Sequence, residues 1–151
     1  MPSLNGSAVA AEVTPQPGYR ALHWLLPLHV APLAAVPLFY HGTAIWEPLL
    51  LAACVALSWW YVRRHPALGF GPRALTRLVA HEDGDWLLEN AAGAQAHARL
   101  APRSVVAGQV MVLTFRLANG KLRSRVLFGD EAGEEALRKL RAFVLRQRGA
   151  G

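Results

Sequence analysis

The chain has 151 residues, 53% hydrophobic and 17% charged, with a formal net charge of +6. Setting aside residues 21–62, whose single charged residue is Glu47, leaves room for one small soluble core and excludes a second domain. Of the 16 Lys and Arg residues, 15 lie at or after Arg63 against eight acidic ones, so that part holds a balance of +7, and the single cysteine, Cys54, excludes an intrachain disulfide.

Residues 1–20 read as a flexible N-terminal segment. Runs 21–40 and 44–62 are each about the twenty apolar residues that span a hydrocarbon core, and Tyr40, His41, Gly42 and Thr43 supply a turn between them. A charge at a helix centre costs about 2.5 to 3.5 kcal/mol on insertion scales, and neither run has one. Pro27, Pro32 and Pro37 interrupt the first run, which predicts a kinked or tilted helix packed on its partner. A cleaved signal peptide fits poorly, because no basic segment precedes Arg20 and both runs exceed the length of a signal core. Arg63, Arg64, Arg73 and Arg77 follow the second run while the connection between the runs has no Lys or Arg, so both termini are expected in the cytoplasm.

Residues 63–73, rich in Pro and Gly, read as a linker, and residues 74–148 as a cytoplasmic domain. Strands are predicted at 74–81 and 86–90, joined by a type I′ turn at Asp83-Gly84, and short or edge strands at 95–100 and 104–107. Residues 110–128 form two alternating strands around Asn119-Gly120, again read as a two-residue type I′ turn. That register pairs Leu117 with Leu122, Phe115 with Ser124, Leu113 with Val126 and Met111 with Phe128 on a core face. It places Arg116 opposite Arg123, with Lys121 and Arg125 beside them, on a basic face. Asp130 is the expected N-cap of a helix to Arg146 that buries Ala136, Leu137, Leu140, Phe143 and Val144 and pairs Glu134 with Arg138 and Glu135 with Lys139. The expected fold is an α+β membrane protein: a two-helix transmembrane hairpin, then a small antiparallel β domain closed by a C-terminal helix.

No nucleotide-binding glycine pattern, paired-cysteine zinc spacing or nucleophile elbow is present, so no enzyme, metal or cofactor is expected. Glu82, Asp83, Asp85 and Glu89 read as solvated turn carboxylates. His23 and His29 stand six apart, off a shared helical face, and His65, His81 and His97 are scattered. The basic balance is accounted for by the positive-inside bias, and nucleic-acid binding is not expected.

The apolar hairpin, the Arg-rich exit, and the ending Val126-Leu127-Phe128-Gly129-Asp130 followed by Leu137-Arg138-Lys139-Leu140-Arg141 resemble the YgfX family, also called toxin CptA. Asp130, Arg138, Leu140 and Arg141 are the positions that correspond; Leu137 stands where an aromatic is usual, and Glu131 where a Ser often follows the Asp. The resemblance implies a bacterial inner-membrane protein that acts by protein contact, inhibits assembly of the cytoskeletal proteins MreB and FtsZ, and pairs with an SdhE-type flavinylation factor. The expected interaction face is Arg116, Lys121, Arg123 and Arg125. The other reading of the same residues is a structural membrane domain that binds anionic lipid.

Overall fold

The structure, a computed structural model, describes residues 8–39 and 45–149. Its elements are strand β1 (Val9–Val13), helices α1 (Tyr19–Phe39) and α2 (Trp46–Val62), strands β2 (Leu75–His81), β3 (Asp85–Asn90), β4 (Gln95–Leu100), β5 (Val105–Ala107), β6 (Val110–Leu117) and β7 (Leu122–Leu127), and helix α3 (Glu134–Gly149). The seven strands form one antiparallel sheet, so the protein is α+β.

Residues 9–13 are not a flexible lead-in. The alternation of Ala11 and Val13 with Glu12 makes them a strand, with Ala11 and Val13 buried, paired antiparallel to β2 from Val9 opposite His81 to Val13 opposite Leu78. The helices α1 and α2 are therefore an insertion between two neighbouring strands of one sheet. Both ends of the insertion return to it. Residues 63–73, expected as a linker, instead carry a short 3-10 turn, Pro66–Leu68, that lies against β7.

Three tight turns build the sheet in the same way. Gly84, Gly93 and Gly120 donate their N–H to the carbonyls of His81, Asn90 and Leu117, and each has positive φ, whereas no described non-glycine residue does. A type I′ turn needs positive φ at both central residues. Asp83 and Asn119 do not supply it, so these are three-residue turns, each closed by a glycine bulge. At Asn119-Gly120 the change shifts the pairing by one residue. Met111 faces Leu127, Leu113 faces Arg125, Phe115 faces Arg123 and Arg116 faces Leu122. With a side-chain period of two, that single step turns every β7 side chain to the face opposite the one expected.

β4, expected as a short or edge strand, is interior, pairing with β3 and with the C-terminal half of β6; β5 continues along the same side of β6. Between them Ser104, fully buried, donates its hydroxyl to Thr114 O at 3.2 Å and accepts Thr114 N–H at 3.0 Å, so the β6 backbone stays bonded where the partner strands change over.

The core lies between one sheet face and α3. Trp86, fully buried, meets Phe115 at 5.1 Å and Phe143 of α3 at 5.7 Å between ring centroids, and its Nε1–H reaches Gln147 Oε1 at 3.3 Å. Leu137, Leu140, Phe143 and Val144 are the buried stripe of α3, as their spacing predicts. The start of α3 differs: Asp130 is exposed, the first turn closes with Leu137 N–H on Gly133 O, and Arg138 pairs with Glu135 at 2.9 Å in place of Glu134, while the expected pair of Glu135 with Lys139 forms at 3.6 Å.

α1 runs unbroken through its three prolines and is long and apolar enough to cross a membrane over Tyr19–Leu38. α2 is apolar but shorter, at 17 residues, so of the two expected spans only α1 reaches that length; the expected turn at residues 40–43 lies outside the described residues. The two helices touch, with the Ser58 hydroxyl 3.1 Å from His29 Nε2 and Trp59 edge-on to the His29 ring. His29 Nδ1 bonds Leu25 O, which leaves Nε2 to accept the serine proton. Trp24, Leu28, Leu38, Leu49, Leu57 and Trp60 are exposed. An apolar surface this extensive is not left to water in a soluble monomer.

Candidate functional site

The four basic residues expected on one face are divided by the register. Arg123 and Arg125 share the core side of β7 with Leu127, Arg116 projects from the opposite side of the sheet, and Lys121 sits in the turn with its carbonyl accepting Leu117 N–H. Arg116 still stands opposite a like charge, but that residue is Arg99 of β4.

Arg125 is fully buried. Its Nη2 donates to Gln16 O, and it lies beneath Gly69, whose φ of +91° is left-handed and where a β-carbon would overlap the guanidinium. Nε and Nη1 have no hydrogen-bond partner among the described residues. Burial pushes the guanidinium below its ordinary value, and the negative Glu131 nearby offsets part of that.

Glu131, also buried, turns its carboxylate back onto the end of β7 and does not cap α3. Its carboxylate accepts Phe128 N–H at 2.8 Å and Gly129 N–H at 2.9 Å, while its backbone carbonyl accepts Gln16 N–H at 2.7 Å. Gly18 N–H reaches Leu68 O at 2.9 Å, and a β-carbon at Gly18 would come within 2.9 Å of Glu131 Oε1. Three segments distant in sequence thus meet at one point: the entry to α1, the exit from α2, and the end of β7 with the loop that follows it. This junction fastens both ends of the helical insertion to the sheet, and sequence reasoning missed it. The one local signal was an arginine within an otherwise apolar strand end.

The outer sheet face carries paired charges instead. Arg77 bonds Glu12 at 2.7 Å and lies 3.8 Å from Glu89; Arg99 bonds Asp85 at 3.2 Å. A shallow depression of about 290 Å³ here is lined by Asp85, His97, Arg99, Arg116, Leu117 and Ala118 among others, and Arg116 makes no ion pair among the described residues. Asp83 Oδ1 accepts Asp85 N–H, a turn role as expected. Of the positions matched to the family pattern, Leu140 is in the core, Arg138 is exposed on Glu135, Arg141 is half-buried and Asp130 is exposed.

A second cavity, of about 540 Å³, opens where α2 ends and is lined by Tyr61, Arg64, His65, Phe70 and Arg73 with the intervening backbone. The Arg64 guanidinium carbon lies over Trp60, 3.7 Å from the ring centroid, and Tyr19 meets Phe70 edge-on at 5.6 Å. Among the described residues no carboxylate lines this cavity.

The family described as the membrane-bound toxin component of a toxin–antitoxin system matches residues 9–148, from the first residue of β1 to near the end of α3. No curated protein and no solved structure matches the chain.

Proposed function

Because the chain belongs to the CptA toxin family of membrane-bound toxin components, we propose that it acts by protein contact and not by catalysis, presenting its sheet domain on the cytoplasmic side of the bacterial inner membrane. The observation that carries this reading is the outer sheet face, where Arg99 and Arg116 stand side by side over a shallow depression and Arg116 is without an ionic partner among the described residues. Directly opposed like charges are unfavourable in isolation, and an acidic surface seated on them relieves the repulsion.

The topology supports a two-span anchor. β1 and β2 are hydrogen-bonded neighbours on either side of the insertion, so if α1 crosses the bilayer, α2 brings the chain back to the same side. At a rise of 1.5 Å per residue, α2 covers about 25 Å, the short end of what a span requires. Arg63, Arg64 and Arg73 at its exit support the cytoplasm as that side. The partners of this reading are those the family resemblance implies, the cytoskeletal proteins MreB and FtsZ as targets and an SdhE-type factor as the cognate antitoxin.

Crosslinking and capture of the full-length protein from its native membranes, comparing wild type with Arg99→Glu/Arg116→Glu, tests it. Recovery of cytoskeletal proteins or an SdhE-like factor by the wild type, and its loss in the variant, is expected. Equal recovery by both removes the outer face; recovery of neither class by the wild type contradicts the partners.

A further inference from the structure

We propose that the cavity at the exit of α2 is a binding site for the phosphate headgroup of an anionic phospholipid, held between Arg64 and Arg73. The two arginines are nine positions apart, and the 3-10 turn at Pro66–Leu68, with the bend at Gly71 (φ +80°), folds the chain back so that both line one pocket. Neither makes an ion pair among the described residues. The Arg64 guanidinium carbon stands over the Trp60 ring, and the guanidinium N–H donors have no hydrogen-bond partner among the described residues, so they are open to an oxyanion. His65 Nδ1 accepts Ala67 N–H at 3.3 Å, so the neutral ring carries its proton on Nε2 and is a third donor at the rim.

Location selects a lipid over a soluble phosphate. The pocket adjoins Trp60 and Tyr61, exposed aromatics on the last turn of an apolar helix, the side-chain type that settles at the headgroup level. A headgroup in the pocket leaves its acyl chains along the exposed apolar side of α2. A general excess of positive charge at a helix exit explains less, because Arg63, adjacent to Arg64, does not line the cavity. The inference rests on the reading that puts α2 in the bilayer.

Arg20, at the start of α1, and Arg63, directly after α2, supply a control with the same change of charge, since neither lines the cavity. The full-length protein is extracted from membranes, delipidated, offered phosphatidylglycerol or phosphatidylcholine, and weighed intact by native mass spectrometry. Wild type and Arg20→Gln/Arg63→Gln are expected to retain phosphatidylglycerol and not phosphatidylcholine, and Arg64→Gln/Arg73→Gln to lose at least tenfold of that retention. Equal retention by the two double variants overturns the site, and binding of inorganic phosphate without retention of lipid overturns the lipid assignment. Failure of the anchor reading instead appears in the labelling of Ile45 described below, so the two failures are distinct.

Discussion

The protein uses acids and arginines in two regions with opposite physics. On the outer sheet face, Arg77 with Glu12 and Arg99 with Asp85 are exposed pairs, in which water screens attraction and penalty alike. At the junction both are buried: Arg125 lies beneath Gly69 and donates to Gln16 O, while Glu131 accepts the N–H groups of Phe128 and Gly129 and, at its carbonyl, that of Gln16. The first arrangement decorates a strand surface that can change with little consequence for folding. The second ties the helical insertion to the sheet.

The contrast predicts a graded series of effects. Removing one member of a buried charged constellation costs about 3–5 kcal/mol, because the group left behind has no water to return to. Glu131→Ala, which strands the N–H groups of Phe128 and Gly129 and the charge of Arg125, is expected to lose that much in denaturant unfolding of the full-length protein in detergent. Glu131→Gln, which keeps an acceptor, should lose less. Gly69→Ala demands a left-handed alanine as well as displacement of a guanidinium, and about 1–3 kcal/mol should be lost by the same measurement. Arg99→Ala, in the exposed pair, should cost at most about 1 kcal/mol, and less in high salt, whereas the salt dependence of Glu131→Ala should be slight.

The smallest effect is at Glu135, whose carboxyl is held below the ordinary glutamate range first by its hydrogen bond from Arg138 and then by the charges of Arg138 and Lys139. A depressed folded value means the pair contributes above the unfolded value and is lost as pH falls through the lowered one. A carboxyl-carbon NMR titration should show Glu135 titrating low in the wild type and returning to the ordinary range in Arg138→Gln.

The two regions also differ in how far they could be read in advance. Apolar runs, the six strands after the insertion and the buried stripe of α3 follow local periodicity and were legible. The register of β6 on β7 was not, because Asn119-Gly120 suits both a two-residue turn and the three-residue bulged turn that forms. That one step moved Arg123 and Arg125 from the expected basic face to the core side. β1 was missed because its partner lies more than sixty residues away, beyond any local pattern. Glu131 stood at a departure from the family pattern, and its role in tying the end of β7 to the entry of α1 becomes visible only when those segments meet.

The central claim, that the helical pair leaves the sheet domain and returns to it across the bilayer, is tested by single-cysteine labelling in a Cys54→Ala background. Ile45→Cys, exposed just before α2, and Gln95→Cys, exposed on the outer sheet face, are treated with a membrane-impermeant maleimide in intact spheroplasts. The account predicts that Ile45→Cys reacts from outside and Gln95→Cys only after lysis; reaction of both from the same side of the membrane would contradict it.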